Sequence, residues 1–374
     1  MEKSNIHIYI NNFIAFLIFS VLNLFLRKRE YEYSKSILFI NSGQIGDLLV
    51  SSILLENEDH FDNFNSLYFL IKDEYLELFE NYKGRFKIIG YNPYLYKYFI
   101  PYKLKLLFFL RKKNFYKCIN LTSARGIIND ELSILAGAKE VFCLNSNWKY
   151  LKKLFGERME RHYTGILSKN KFNEYDKHIE LLKIFKNNNA ISFNSNFLFS
   201  IEGIKLNYVD RSDILIAPFS SVGNRDWSIE NYKRLISLFN KDLKIILLGN
   251  KKQKLDLELI ANRLENVEVF AGKIKISEIA LFMMKTRIFI GNDSGLSHIA
   301  LKQGIPMIVI LGGGQYGRFL PYKFYNSNQQ FFLSYPLDCY GCEWRCILKE
   351  KECITKITVE DVFNLALMLM NKVA

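Results

Sequence analysis

The stretch "IFIGNDSGLSHIALKQGIPMIVILGG", residues 288–313, decides the fold class of this chain. It contains an apolar run, a burst of small polar residues, a short helical pattern and a second apolar run. A helix that joins two buried strands is the usual crossover between parallel strands, so the stretch predicts a β-α-β unit. The polar burst falls where the first strand ends, and ligands of open α/β sheets bind beyond the carboxyl ends of the strands.

The rest of the chain shows this alternation in two separate regions. Strand-like runs such as "SILFIN" (36–41) and "YKCINL" (116–121) alternate with helical patterns in the first half, and "DILIAPF" (213–219) opens a similar series in the second half. Between them, residues 145–210 lose the alternation, and "KNNNAISFNSN" (186–196) predicts a linker. A chain of 374 residues with 49% apolar content is long enough for two cores. We therefore predict the α/β class with two Rossmann-like domains.

The predicted organisation has four parts. They are an apolar N-terminal helix with a basic boundary (1–33), a first domain with a helical linker region (34–200), a second domain (201–357) and a C-terminal helix (358–374). The last part opens with a Thr-x-x-Asp capping pattern and carries a helical apolar stripe.

The charge balance favours anionic partners. The chain has 51 Lys and Arg against 38 Asp and Glu, a formal net charge of +13, which suits nucleotides, phosphorylated glycans or acidic lipid. It has no zinc-finger helix spacing, no RNP-type stretch and no basic heptad region, so nucleic acid is not an expected partner.

The N-terminal segment is uncharged from Ile6 to Leu26 and is followed by "RKRE" (27–30). A signal peptide would place the basic residues first and end at a small-residue cleavage site, which this segment does not do. Polar residues dilute a length that is already near the lower limit for a span. We expect a helix that lies on the membrane surface with the basic run at the headgroups. A true span and a helix packed on its own domain remain open.

The polar burst of the opening stretch is a candidate anion site. The N–H groups of Ser294 and Gly295 could hold a diphosphate, because a helix N-terminus carries unpaired donors and a partial positive charge. Asp293 could cap the helix or bind a sugar hydroxyl, and His298 could donate to a phosphate oxygen. The alternative is a well-capped helix start with a structural histidine.

A second polar group follows the strand that begins the second domain. In "PFSSVGNRDW" (218–227), Ser220 and Ser221 come directly after the strand and Arg225 lies in a glycine-containing loop. Hydroxyls and a guanidinium suit a phosphate, since a guanidinium can bind two oxygens at once. The alternatives are a solvated loop arginine and, for Trp227, a packing anchor rather than a base-stacking platform.

A third candidate lies after the first strand, in "GQIGD" (43–47). It is neither a Walker loop nor a dinucleotide fingerprint, because the Lys-Ser/Thr pair and the third glycine are missing. Asp47 stands at the start of a helix, where the helix dipole favours a carboxylate. It could serve as a general base if it faces an interdomain cleft, or it could only cap its helix.

A cysteine cluster near the C-terminus has the spacing C-x2-C-x3-C-x6-C over residues 339–353. Such spacing can bring four thiolates around Zn or Fe. Free thiols and one or two disulfides are the alternatives, and disulfides would be disfavoured if the protein is cytoplasmic. The four residues are Cys339, Cys342, Cys346 and Cys353.

These motifs, in this order, resemble glycosyltransferase family 9, the bacterial heptosyltransferases of lipopolysaccharide core synthesis and their relatives. The most specific part is "NDSGLSHIA" (292–300) followed by "GIP" (304–306) and "LPY" (320–322), and the similarity covers roughly residues 36–370. The resemblance implies a GT-B fold, in which two Rossmann-like domains face each other across a cleft and the last helix crosses back to the first domain.

The resemblance also implies the reaction and its setting. It indicates an inverting transfer without a catalytic metal, from a nucleotide-sugar, with ADP-heptose as the favoured donor, to a lipopolysaccharide or other glycolipid acceptor. Such an enzyme would be cytoplasmic and associate peripherally with the inner face of the membrane. A polypeptide acceptor, and a nucleotide-binding membrane-associated protein without catalysis, are the alternatives.

By matched position, the resemblance assigns a role to each candidate residue. Asp47 is the expected catalytic base, and Arg225 stands where the family typically has a lysine that stabilises the leaving diphosphate. One departure is "NKKQK" (250–254), where an acidic residue that meets the ribose is often found, so the nucleotide stays open. The residues implied in donor binding are Ser220, Ser221, Gly272, Lys273, Asp293, Ser294, Gly295 and His298.

Overall fold

The fold consists of two compact α/β units. The structure is a computed structural model that describes residues 3–26, 32–146, 155–169, 171–186, 191–192, 212–220, 225–322 and 328–372. One unit comprises residues 1–79 and 83–192, and the other residues 80–82 and 193–374. In the described part of the chain, each unit has a parallel sheet of six strands. The prediction of two Rossmann-like α/β units is confirmed, while most of the predicted linker lies outside the described residues.

The sheet of the first unit has the strand order β3-β2-β1-β4-β5-β6. The order reverses between β1 and β4, and the carboxyl ends of such neighbouring strands form the usual ligand crevice. The strands are β1 (Ser34–Asn41), β2 (Ser66–Lys72), β3 (Phe86–Tyr91), β4 (Phe115–Asn120), β5 (Glu140–Leu144) and β6 (Gly165–Leu167). The helices are α1 (Lys3–Phe25), α2 (Ile45–Ser51), α3 (Ile53–Glu56), α4 (Pro93–Tyr98), α5 (Ile100–Arg111), α6 (Ile127–Leu135), α7 (Glu157–Glu160) and α8 (Glu174–Phe185).

The sheet of the second unit has the order β12-β11-β10-β7-β8-β9, with the reversal between β7 and β10. The middle parts of its two central strands, residues 214–217 and 288–290, are apolar and fully buried, because helices cover both faces of a parallel sheet. The strands are β7 (Ser212–Ala217), β8 (Ile245–Gly249), β9 (Val267–Ala271), β10 (Thr286–Asn292), β11 (Met307–Ile310) and β12 (Gln330–Leu333). The helices are α9 (Ile229–Leu238), α10 (Lys254–Ala261), α11 (Ile276–Met284), α12 (Gly295–Lys302), α13 (Glu352–Thr355) and α14 (Val359–Lys372).

The N-terminal helix α1 packs one face on the first unit. Ala15 and Phe19 are buried in its core, and the Phe19 ring lies edge-on to His162 with centroids 5.0 Å apart. Apolar side chains on the remaining surface of the helix are exposed: Tyr9, Ile10, Phe13, Ile14, Leu17, Val21, Leu24 and Phe25. None of the described helices combines the length and the apolarity needed to cross a membrane. The predicted helix is present, and packing on its own domain is the alternative that the structure displays.

The C-terminal helix α14 packs against α9, β10 and β11 of the second unit. Val362, Ala366 and Leu369 lie on its fully buried face. This confirms the amphipathic helix that the apolar stripe predicts. Its return to the first domain stays a prediction.

Candidate functional site

Asn292, the last residue of β10, fastens the ends of two neighbouring strands. Its amide nitrogen donates to the carbonyl of Pro218 at 2.5 Å, and its amide oxygen accepts from the Tyr232 hydroxyl at 3.0 Å. The hydroxyl of Ser297 donates back to the Asn292 carbonyl at 2.5 Å. All of these groups are buried. Part of the polar burst therefore has a structural role: it joins β10 to the segment after β7.

Three buried polar atoms at these strand ends have no hydrogen-bond partner within the described part of the chain. They are the Oγ atoms of Ser220 and Ser294 and the Nε of Arg225. Ser294 occupies the N-cap position of α12, yet its side chain makes no capping hydrogen bond. Buried polar groups are normally paired, so unpaired ones at a strand end indicate the place of a polar ligand. Hydroxyls, a guanidinium and a helix N-terminus together fit an anion such as a diphosphate.

Arg225 and Asp293 form an ion pair at this site, with Nη1 and Oδ2 3.2 Å apart. The Arg225 side chain is 19% exposed and Asp293 is buried. Burial raises the pKa of Asp293, and the neighbouring Arg225 partly opposes that rise. The carboxylate of Asp293 therefore orients the guanidinium. Of the two interpretations of Arg225 drawn from the sequence, a solvated loop arginine does not fit this largely buried ion pair.

His298 lies on the first turn of α12 and is buried. Its Nδ1 is 2.5 Å from the Tyr322 hydroxyl. Burial, assisted by the positive charges of Arg225 and Lys302, lowers the pKa of His298 to about 3. The ring is therefore neutral at neutral pH, and if Tyr322 donates to Nδ1, Nε2 carries the proton and can donate to a ligand.

The remaining donor-site candidates are less closely tied to Arg225. Gly272 and Lys273 follow β9, the edge strand of the sheet, and β8 separates that strand from β7. The Lys273 ammonium is exposed and donates to the carbonyl of Val269 at 2.9 Å. Trp227 is buried in the core and its indole donates to Ile357 O, so it is the packing anchor of the two alternatives. Ser221 lies outside the described residues.

In the first unit, the carboxylate of Asp47 is held by two donors. Its Oδ2 accepts from the backbone N–H of Gln44 at 2.9 Å, and its Oδ1 pairs with the hydroxyl of Ser123. Gly43 permits this turn, because a Cβ at that position would lie 2.3 Å from the Asp47 Cβ. The side chain is half-buried. Asp47 thus caps its own helix start and also keeps a fixed carboxylate at the ends of β1 and β4.

Ser123 is a site residue that the sequence analysis does not identify. It follows β4, the strand beside β1, and it is buried. Neighbouring groups support the same turn: Thr122 accepts from the Ser42 N–H at 3.2 Å, and the Tyr75 hydroxyl donates to the Gln44 side chain at 2.5 Å. The available signal was a pair of hydroxyl residues directly after the run "YKCINL".

The four clustered cysteines line one small cavity of about 10 Å³, which is room for roughly one water-sized sphere. None is in a disulfide, so that alternative is not the one displayed. Burial raises the pKa of Cys353, whose thiol accepts from the backbone N–H of Gly313. Within the described residues, no three His, Cys, Asp or Glu side chains are arranged as a metal-binding group. The metal site stays a prediction.

The fold defines a class: α/β proteins of GT-B-like architecture, here with a candidate anion site at the sheet reversal of the second unit. Residues 133–348, more than half of the chain, match the family described as glycosyltransferase family 9 (heptosyltransferase). The chain belongs to that family. This confirms the resemblance drawn from the motifs, although the "GQIGD" turn precedes the matched range.

One curated relative is the lipopolysaccharide core heptosyltransferase OpsX of Haemophilus influenzae, 27% identical over 169 residues. That similarity covers 41% of this chain and 47% of the relative, so the chain spans about half of its length.

Two solved structures share the fold. A family 9 glycosyl transferase from Veillonella parvula has a TM-score of 0.66 at 18% identity, covering 91% of this chain and 98% of its own. E. coli heptosyltransferase WaaC, solved with ADP-2-deoxy-2-fluoro heptose, has a TM-score of 0.64 at 15% identity, covering 89% and 99%.

Proposed function

We propose that this protein is an inverting glycosyltransferase that moves a sugar from a nucleotide-sugar to a glycan acceptor of the bacterial surface. The observation that carries the proposal is the group of unpaired buried atoms on Ser220, Ser294 and Arg225 at the ends of β7 and β10. A donor diphosphate would satisfy all three, and Asp293 already orients the guanidinium toward such a role.

The reaction follows from where charge moves. The Asp47 carboxylate accepts the proton of an acceptor hydroxyl, whose oxygen forms a bond to the sugar carbon while the bond from that carbon to the diphosphate breaks. Ser123 and the Gln44 N–H hold the carboxylate in one orientation. Negative charge grows on the leaving diphosphate, where Arg225 and the start of α12 stabilise the transition state more than the ground state.

For the donor we propose ADP-heptose, and for the acceptor a lipopolysaccharide or lipooligosaccharide. Support comes from the family, from the name of the Haemophilus relative and from the ADP-heptose analogue in the E. coli structure. The basic segment 250–254, which follows β8 and leads into α10, is the local feature that could select another nucleotide.

The experiment is thermal stabilisation of the purified protein by ADP, UDP, GDP and CMP, because a ligand that binds only the native state raises the unfolding midpoint. We expect ADP to stabilise, and Arg225→Ala to remove most of the effect. Arg234→Ala is the matched control, since Arg234 is exposed and pairs with Glu360. Stabilisation by UDP or GDP in place of ADP would mean that the donor is not ADP-heptose but a sugar linked to that other nucleotide. No stabilisation by any nucleotide would contradict the proposed function. In a transfer assay, a labelled polypeptide product would mean that the acceptor is a protein and not a glycolipid.

We also propose that the enzyme works in the cytoplasm against the inner membrane surface, held there by α1. The observation is that Phe13, Leu17 and Leu24 stay exposed although the other face of the helix packs on the first unit. Replacing these three by serine should abolish co-sedimentation with phosphatidylglycerol vesicles. The control replaces three exposed leucines of the second unit, Leu238, Leu255 and Leu259. Equal binding of both variants would contradict the membrane role of α1.

For the cysteine cluster we propose a structural Zn or Fe, bound by thiolates that already line one cavity. Elemental analysis of the purified protein should find one metal per chain, lost in Cys342→Ser and kept in Cys118→Ala, a buried core cysteine. Six titratable thiols without metal would contradict this.

A further inference from the structure

The cysteine segment, residues 337–353, is joined to the glycine loop that follows β11. The Gly341 N–H donates to Gly313 O, and the Glu343 N–H donates to Gly314 O, both at 2.9 Å. This short ladder places the segment beside the strand next to β10. The segment therefore lies at the carboxyl ends of the second unit's strands, where the candidate donor-site residues are.

Trp344, in the middle of the cysteine segment, contacts both the glycine loop and Arg225. A Cβ on Gly314 would lie 2.5 Å from the indole Cδ2, so the indole rests directly on backbone that only glycine leaves uncovered. The guanidinium carbon of Arg225 lies 5.4 Å from the centre of the indole ring. That distance is within the range of a cation–π contact, for which tryptophan is the best partner.

The backbone around Trp344 is strained. Glu343 and Trp344 are consecutive residues with φ of 50° and 64°, a region that non-glycine residues rarely adopt. Such residues persist only where surrounding contacts hold them, and they concentrate at functional sites. Here the Glu343 carboxylate pairs with Arg318 at 3.2 Å, in addition to the ladder with Gly314.

The guanidinium of Arg225 is thus fixed from two sides, by the Asp293 carboxylate and by the indole. Its Nε stays unpaired and buried, as does the Nε1 of Trp344, within the described residues. A flexible arginine side chain loses conformational entropy when it binds a ligand. A side chain that is already held in its binding conformation loses less, so its ligand binds more tightly.

We propose that Trp344 is a positioning residue of the donor site: the cysteine segment presents its indole to Arg225 and thereby sets the affinity for the donor diphosphate. This inference rests on the proposed function, because the ligand is the one proposed for Arg225. It adds that the cysteine segment is needed for donor binding and not only for the stability of its own end of the unit.

The test is a double-mutant cycle of Trp344→Ala and Arg225→Ala, read by calorimetric titration with ADP. Trp344→Ala should weaken ADP binding about five- to tenfold in the wild-type background and hardly at all when Arg225 is already alanine. Trp344→Phe, which keeps an aromatic face, should recover part of the loss. Ile347→Ala is the matched control, because Ile347 is in the same segment and is 82% exposed.

The outcomes separate this inference from the proposed function. Failure of the wild-type protein to bind any nucleotide overturns both. Wild-type binding with full affinity in Trp344→Ala overturns only the inference. Additive losses in the double variant also overturn it, since they would mean that the indole supports the segment's folding and does not act through Arg225.

Discussion

At the scale of single residues, the carboxylate of Asp47 offers a direct test of the chemistry. Asp47→Asn should lower the transfer rate about 10²- to 10⁴-fold, the range typical of losing a general base, with donor affinity unchanged. Steady-state transfer assays and ADP titrations measure the two quantities. Asp256→Asn, an exposed first-turn carboxylate of α10, is the control. Full transfer activity in Asp47→Asn would mean that a group other than Asp47 accepts the proton of the acceptor hydroxyl.

Ser123 tests how the base is held. Ser123→Ala removes the hydroxyl that pairs with Asp47 Oδ1 and leaves the Gln44 N–H in place. We expect kcat to fall about tenfold while the donor KM stays within about twofold, the pattern of an interaction made mainly in the transition state. A change in KM alone would mean that Ser123 contacts the substrate and does not position the base.

His298 predicts a pH dependence of stability. Its folded pKa is about 3 because the ring is buried, whereas an unfolded histidine titrates near 6.5. Below pH 6.5 the unfolded chain gains a proton that the folded chain does not, so stability falls as the pH decreases toward 3, by up to about 1.4 kcal/mol per pH unit.

The measurement is urea unfolding of wild type and His298→Gln from pH 8.5 to 4.5. The difference between their unfolding free energies should be constant above pH 7 and should shift in favour of the variant below 6.5. Taking the difference removes the contribution of buried carboxylates such as Asp130, whose pKa burial raises to about 6. Parallel curves throughout would contradict a buried neutral His298.

At the scale of elements, α1 has two different faces that one pair of variants separates. Phe19 is 1% exposed and Phe25 is 82% exposed. Phe19→Ala should lower the free energy of unfolding by about 3–5 kcal/mol, the range for a buried phenylalanine, and Phe25→Ala by less than about 0.5 kcal/mol. Urea unfolding of the full chain measures both. Equal small effects would mean that the helix does not pack on the first unit in solution.

The start of α12 contains both residues with structural contacts and a candidate ligand-binding residue. Asn292 and Ser297 bond to groups within the second unit, while Ser294 leaves its hydroxyl unpaired among the described residues. The two uses alternate along the chain because successive residues at a strand-to-helix turn point in different directions. Residue type alone does not distinguish them.

At the scale of the whole molecule, the net charge of +13 predicts electrostatic membrane binding. Association with phosphatidylglycerol vesicles should weaken strongly between about 0.1 and 0.5 M salt. The electrostatic screening length is about 10 Å at 0.1 M and becomes shorter as salt is added, so the attraction between basic residues and anionic lipid decreases. Co-sedimentation against salt concentration measures this, and phosphatidylcholine vesicles are the control. Salt-independent binding would mean that the apolar face of α1 acts without the basic residues.

The α/β class, the two units and the polar groups at the ends of β1, β7 and β10 could all be predicted from the sequence. These features depend on local periodicity and on residues that directly follow a strand, both of which can be read along the chain. The signature "NDSGLSHIA" likewise predicted that the chain belongs to glycosyltransferase family 9. The sequence also predicted α1, because an uncharged apolar run of that length favours a helix.

Contacts between side chains that are distant in sequence could be identified only from the folded chain. Ser123 reaches Asp47 across 76 residues of sequence, and Trp344 reaches Arg225 from a segment whose cysteine spacing had suggested a candidate metal site, with free thiols and disulfides as alternatives. Strand order and loop packing create these contacts, and no local pattern encodes them. The same holds for the buried face of α1 and for the burial that keeps His298 neutral, since burial is a property of the assembled unit.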